Sequence, residues 1–411
     1  MTRTPVVVIG GGQAGLAMSH HLGSRGIDHV VLERGEVANS WRTERWDSLR
    51  MLTPNWMTRL PGHRYEGPDP DGFMTKDETI GLLETYGRSF DAPIRPGVTV
   101  EQVRAESTGF EVLTDQGSWS CDAVVAATGA SSEPRLPAVA PEIPPAIEQL
   151  TALQYRNPDR LASGEVLVVG ASASGAQIAD ELQRSGRQVT LAVGEHVRLQ
   201  RSYRGRDIHW WMDAIGQLDE RFDEVDDINR ARRLPSLQLV GSPEHRTLDI
   251  NTLRSAGVGI VGKLMGVAGS RAQFSGALRN LVANADLKQN RLLDRIDEFA
   301  TEHGLDTELS ETTRPDPTDP GAAPTELELG RFRTIVWATG YRPTYPWLDR
   351  TAFDRRGRLV HDGGVASLSG LYMLGLPFLR RRKSSFVDGV GADAAELASH
   401  LHAHLDRRVS A

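Results

Sequence analysis

Val6-Val7-Val8-Ile9-Gly10-Gly11-Gly12-Gln13-Ala14-Gly15 decides the fold class. Four β-branched residues make a short buried strand and run without a gap into a glycine-rich turn. Residues 16–26 then read as a helix, and 30–32 as a second strand that ends at Glu33. This is a complete βαβ unit with the dinucleotide fingerprint. Gly10 permits the tight bend, Gly12 lets the backbone approach a pyrophosphate, and Gly15 lets the helix pack closely on the strand. The helix N-terminus beside Gln13 offers unpaired N–H groups and a partial positive charge to phosphate. Glu33, 23 residues after Gly10, stands where a carboxylate accepts hydrogen bonds from an adenosine ribose 2′-OH.

A second unit begins about 160 residues later. Its strand is 166–169, its turn Gly170-Ala171-Ser172-Ala173-Ser174-Gly175, its helix 177–185 and its next strand 189–193. Ser172 replaces the middle glycine and is small enough to allow backbone approach; Ser174 lies in the same turn. No carboxylate ends the second strand near Val193-Gly194. His196, Arg198, Arg201, Arg204 and Arg206 follow, which reads as NADPH over NADH because a 2′-phosphate wants positive, forked donors, although Glu195 in the same loop opposes it. Two sites of unlike charge preference imply FAD in the first and NADPH in the second.

Two further segments echo each other. Val124-Val125-Ala126-Ala127-Thr128-Gly129 and Ile335-Val336-Trp337-Ala338-Thr339-Gly340 are apolar strands ending in Ala-Thr-Gly, each followed by a proline-bearing loop. Residues 281–303 read as an exposed helix, and 312–324, with four prolines and no apolar periodicity, as a linker. The expected fold is α/β: two doubly wound, three-layer Rossmann-like domains, the NADPH domain inserted into the FAD domain. The expected boundaries are 1–158 and 330–411 for FAD, 159–311 for NAD(P)H, and 312–329 for the linker.

Composition narrows the function. The 411 residues carry 47 basic and 54 acidic side chains, a net charge of -7, so no global positive field invites nucleic acid or an anionic membrane. The single cysteine, Cys121, excludes an intrachain disulfide framework, a multi-cysteine zinc site and a CxxC redox pair. No stretch reaches the roughly 18 apolar residues of a spanning helix, and the N-terminal apolar run meets glycines at once, so a cytoplasmic protein is expected. No serine-histidine-acid or metal-ligand spacing stands out. Trp210-Trp211 beside His209 reads as core or interface, and Arg380-Arg381-Arg382-Lys383 as a solvated turn or an anion site.

The chain resembles the flavin-containing monooxygenases, with plant indole-pyruvate monooxygenases among the relatives and N-hydroxylating and Baeyer–Villiger enzymes more distant. The markers are GGGQAG at 10–15, Trp41-Arg42, LRMLTP at 49–54, Leu60-Pro61-Gly62, ATG at 127–129, GASASG at 170–175, ATGYRP at 338–343 and SSFVDGVGADA at 384–394. The resemblance implies that Arg34, Trp41 and Arg42 lie along FAD and that Thr53, Pro54 and Asn55 approach its isoalloxazine ring. It implies that Val100 packs by the adenine, and that Ala127, Thr128, Gly129, Ala338, Thr339, Gly340 and Tyr341 line the domain junction. Ser385, Phe386 and a helix beginning near Asp393 would cover the flavin's pyrimidine side. One departure stands out. In the family's Phe-x-Gly-x-x-x-His-x-x-x-aromatic fingerprint only Tyr155 fits, and Thr151 stands at the histidine. Asn55, Thr151 and Tyr155 are the catalytic candidates.

The activity so implied is a monooxygenase that uses FAD, NADPH and O₂ to insert one oxygen atom into a small organic substrate through a C4a-hydroperoxyflavin; a homodimer is compatible with the resemblance. An NAD(P)H oxidase or flavin reductase releasing hydrogen peroxide is the alternative, and a redox-sensing flavoprotein that binds a partner is a further one.

Overall fold

The computed structural model describes residues 1–409 except Arg356 and Arg358. Its first sheet has seven strands, and Val6–Ile9 lies inside it, parallel to His29–Leu32 on one side and to Ala123–Ala126 on the other. Leu371–Met373 extends the parallel run beyond Ala123–Ala126, and Ile94–Arg95 beyond His29–Leu32. Unbroken apolar strands of this kind are what a sheet covered on both faces requires. Helices Gln13–Gly23 and Val387–Val409 pack against each other, and a four-stranded sheet built from Thr2–Arg3, Gly117–Cys121, Gly109–Thr114 and Val100–Glu106 adds the remaining layer. One continuous core joins these layers.

The second sheet repeats the plan. Its order is Glu148–Thr151, Phe332–Trp337, Glu165–Val169, Val189–Val193 and Gly259–Gly262, all parallel. Helix Ala173–Arg184 packs on this sheet, and a three-stranded sheet of Leu264–Ala268, Arg271–Phe274 and Glu326–Glu328 accompanies it. The two doubly wound domains and the insertion are therefore as expected, but the boundaries move. Glu148–Thr151 and Phe332–Trp337 belong to the inserted sheet, so the inserted domain begins before residue 159 and ends after residue 330. The two crossings lie side by side: Glu133–Pro134 pairs antiparallel with Tyr341–Arg342, and Arg342 pairs with Glu133 at 2.9 Å.

Residues 312–324 do not hang free between the domains. Thr318 donates its hydroxyl to Asp286, the Asp316 carbonyl accepts from Arg198, and Asp319 pairs with Arg254, so the segment is strapped to the inserted domain. Helix Leu278–Glu302 lays Leu278, Val282, Ala285, Gln289, Leu292, Leu293, Ile296 and Ala300 inward, one stripe at spacings of three and four. It is an amphipathic helix with a buried face rather than an exposed one.

Candidate functional site

The two glycine loops superpose in their chemistry. The Gly10 N–H donates to Leu32 O at 2.8 Å, and the Gly170 N–H to Ala192 O at 2.9 Å. Gly10 and Gly170 hold φ of +111° and +110°, a region that favours glycine. A β-carbon on Gly10 would stand 2.6 Å from the Ala127 carbonyl oxygen, and one on Gly170 2.3 Å from that of Ala338. On Gly15 or Gly175 it would stand 1.8 Å from the carbonyl oxygen of Gly10 or Gly170. The Ala-Thr-Gly strand ends are thus what each loop rests against, and their first amides close the strands: Ala127 donates to Ile9 O and Ala338 to Val169 O, both at 2.8 Å.

What the loops leave open fits two dinucleotides. Gly12 and Ser172 are the N-caps of their helices, and neither helix receives a side-chain cap bond, so the first-turn N–H groups point outward unpaired. A β-carbon on Gly12 would meet nothing within 4 Å. The Thr128 hydroxyl, at the strand end beside the first loop, is buried without a hydrogen-bond partner. Glu33 is buried, with its carboxylate accepting from the N–H groups of Gly11 at 2.7 Å and Gly35 at 3.0 Å. That carboxylate keeps lone pairs for a ribose hydroxyl and is aimed by the loop itself.

A ligand that starts at Glu33 and crosses the first loop runs over the carboxyl ends of Ala123–Ala126 and Leu371–Met373. Gln13 there reaches the Ser385 carbonyl at 3.5 Å, which brings Phe386 and the helix after it beside the loop. Trp41 is half-buried against the core, and Arg42 donates to the Val37 carbonyl and pairs with Glu84. Arg34 pairs with Glu44. Thr53 is half-buried, and Val100 pairs with Thr114 at the rim of the four-stranded sheet.

The catalytic candidates are placed differently from expectation. The Asn55 amide donates to Asp69 O at 2.9 Å and accepts from the Met74 N–H at 3.0 Å, clamping the loop between them. The Thr151 hydroxyl donates to Gln154 at 3.0 Å in a buried turn. The Tyr155 hydroxyl donates to Glu181 at 2.7 Å, and burial, with the Glu181 charge, raises its pKa far above the phenol range. Each of the three polar groups thus holds a structural hydrogen bond. The helix expected to begin near Asp393 begins at Val387, and Asp393 lies inside it, fully buried and paired with Arg381 at 2.8 Å. Burial raises the Asp393 pKa against the pull of Ser384 and Arg381.

The two arginines assigned to a 2′-phosphate are also structural. Arg198 is buried and pairs with Asp249 at 2.7 Å and Asp286 at 2.8 Å. Arg201 is completely buried, forks onto Asp207, and donates to Leu52 O at 2.9 Å and to His209 Nδ1 at 2.8 Å. A guanidinium only donates, so Nδ1 accepts and the His209 proton rests on Nε2. Burial lowers the His209 pKa, which keeps the ring neutral. Burial opposes ionisation of Asp207, but the Arg201 charge and its forked hydrogen bonds outweigh it and hold the carboxyl at about 2. The His209 ring lies edge-on to Phe386, centroids 6.2 Å apart, so this buried network ends beside the residue that precedes the C-terminal helix. The pattern Arg201, Asp207, His209 was visible in the chain, but nothing local marks it as one network.

The basic run 380–383 is neither a solvated turn nor an anion site. Arg380 and Arg381 pair with Glu396, Arg382 with Glu220, and Lys383 with Asp219 at 3.1 Å and Asp388 at 3.0 Å. The run pins the inserted domain to the C-terminal helix. Trp211 is core, its indole N–H on Tyr203 O at 2.8 Å, while Trp210 is half-buried under Arg206.

Residues 7–213 match the family model described as pyridine nucleotide-disulphide oxidoreductase. The uncharacterized oxidoreductase CzcO-like protein of Geobacillus kaustophilus is 31% identical over 406 residues, covering 97% of this chain and 98% of that protein. The chain belongs to the pyridine nucleotide-disulphide oxidoreductase family. This oxidoreductase is also 27% identical to indole-3-pyruvate monooxygenase YUCCA1 of Oryza sativa, covering 96% of this chain and 91% of that one. A flavin-containing monooxygenase from Stenotrophomonas maltophilia shares its fold, with a TM-score of 0.68 at 20% identity, covering 98% of this chain and all of the other. The resemblance to flavin-containing monooxygenases therefore holds, the chain is an enzyme, and its cofactors are FAD and NADPH. Among the described residues, no helix is long and apolar enough to cross a membrane.

Proposed function

We propose that this oxidoreductase is an FAD-dependent, NADPH-consuming monooxygenase that transfers one oxygen atom of O₂ to a soft nucleophile, an amine nitrogen or a sulfide sulfur, or to a ketone. The observation that carries the reading is the pair of matched glycine loops, one with Glu33 at its ribose end and one with Val193 in the same place. Bound flavin supplies hydride acceptance from the nicotinamide and reaction with O₂. The chain's part is to bind, orient and exclude water. Gly12 and Ser172 open their helix N-termini to the two pyrophosphates. Met57 and Phe386 of the first domain join Leu199, Ile208, Trp211 and Met212 of the second in one apolar cluster, a dry cover for the flavin side. The His209 ring lies edge-on to Phe386 at this cover.

The balance of the reaction sets its test. Each NADPH, with one proton and one O₂, yields NADP⁺, one water and one oxygenated product. Holoenzyme in air with NADPH and methyl phenyl sulfide, N,N-dimethylaniline or cyclohexanone is expected to form oxygenated product in step with NADPH loss for at least one of the three classes. A second reading, an NAD(P)H oxidase, is favoured by Thr151, whose hydroxyl turns inward to Gln154 at the fingerprint position. One peroxide per NADPH with every compound would select that reading. No flavin reduction by NADPH or NADH would leave only a redox-sensing flavoprotein.

A further inference from the structure

At the adenosine end of the second nucleotide site the charges are few and opposed. The matched bonds Gly10 N–H to Leu32 O and Gly170 N–H to Ala192 O set Val193 where Glu33 stands in the first site. Val193 is fully buried and apolar, so the carboxylate that selects a ribose diol is missing there. Arg198 and Arg201 are missing too, since their donors are spent on Asp249, Asp286 and Asp207. Two exposed charges remain at the strand ends. Glu195 lies two residues beyond Val193, and Lys263 follows Gly262, the strand partner of Val193. The Lys263 Cγ is 3.9 Å from where a β-carbon on Gly194 would sit. Neither the Glu195 nor the Lys263 side chain makes a hydrogen bond or ion pair among the described residues. His196 adds no charge: its Nδ1–H is on the Gly194 carbonyl at 3.0 Å, it is buried, and the charges that act on it are Asp286, Arg198 and Lys288.

We infer that this site takes NADH about as readily as NADPH, with Lys263 drawing the 2′-phosphate and Glu195 opposing it. A strong 2′-phosphate preference needs forked or multiple cations, and one ammonium beside one carboxylate nearly cancels. The phosphate carries close to two negative charges, so each of the two side chains acts on NADPH and not on NADH. The inference rests on the NAD(P)H assignment of the second loop and not on what happens to O₂.

Calorimetry on the flavin-loaded protein tests it without turnover, using NADP⁺ and NAD⁺, and 2′,5′-ADP and 5′-ADP as adenosine halves with and without the 2′-phosphate. Wild-type protein is expected to bind NADP⁺ and NAD⁺ within about threefold of each other. Lys263→Ala should weaken NADP⁺ and 2′,5′-ADP about tenfold and leave NAD⁺ unchanged, and Glu195→Gln should tighten the same two about fivefold. Wild-type NADP⁺ binding about thirtyfold tighter than NAD⁺ would overturn the inference, as would variants that shift both nucleotides equally. Binding of none of the four would overturn it together with the nucleotide-site assignment, whereas a protein that binds as expected but releases only peroxide would count against the monooxygenase alone.

Discussion

Arg201 of the inserted domain donates through Nη1 to the Leu52 carbonyl of the first domain at 2.9 Å, across the boundary between the two domains. The same guanidinium forks onto Asp207 and touches His209, with no solvent exposure. Removing one partner of such a pair strands a buried charge, at a cost of about 3–5 kcal/mol. Arg201→Ala should therefore lower the urea midpoint sharply. Arg201→Met with Asp207→Asn should recover about half of the loss, because the stranded charge is gone. An Arg201→Ala protein as stable as wild type would mean that the network carries no weight.

His361 predicts an acid-labile window. Burial, then the Arg232 charge, lowers its pKa to about 4, and its Nδ1 accepts the Gly364 N–H at 3.3 Å. A folded pKa below the unfolded 6.5 means that the unfolded chain takes the proton first. Stability is then undiminished above pH 6.5 and falls as the pH drops toward 4, by about 3 kcal/mol from this group. Unfolding curves from pH 7 to 4 should show that decline, and His361→Gln should flatten it. A parallel decline in wild type and variant would assign the loss to other groups.

How much of this was legible in the chain depends on how local the cause is. The glycine loops were legible because the constraint lies within six residues: Gly10 at φ +111° and Gly170 at φ +110° need glycine whatever surrounds them. Arg198 was not, because its partners Asp249 and Asp286 are 51 and 88 positions away and only the fold brings them in. The domain boundary was missed because Glu148–Thr151 is an edge strand with two exposed residues, and its polar sequence hides its membership of the second sheet. The start of the last helix was missed because Gly389 and Gly391 look like breakers. They are there for close approach: β-carbons would stand 2.0 Å from the Lys383 carbonyl oxygen and 3.0 Å from Pro61.

Gly10 and Gly12 should separate folding from cofactor binding. A methyl on Gly10 meets the Ala127 carbonyl at 2.6 Å in a backbone region foreign to alanine, so Gly10→Ala should cost more than about 1 kcal/mol even without flavin. Gly12 has φ -88°, which alanine adopts freely, and open space beyond it. Gly12→Ala should leave the melting temperature of the flavin-stripped protein within about 1 °C of wild type. It should weaken FAD at least tenfold, roughly, because the methyl occupies the pyrophosphate's approach. Equal FAD affinity in Gly12→Ala and wild type would move the dinucleotide off this loop.

The family's description includes disulphide chemistry, and Cys121 decides whether this member can perform it. The thiol, at the end of strand Gly117–Cys121 in the four-stranded sheet, is completely buried, and burial, then the Asp122 charge, pushes its pKa up to about 12. A thiol that neither ionises nor meets solvent attacks no disulfide, and no second cysteine exists to resolve a mixed one. Native protein should therefore not react with an aromatic disulfide reagent until denatured. Cys121→Ala should keep NADPH oxidation within about twofold of wild type while losing about 1 kcal/mol of stability from the small cavity. NADPH-dependent disulfide reduction that disappears in Cys121→Ala would show that the four-stranded sheet opens to release the thiol, and the electrons would then leave flavin by a second route in competition with O₂.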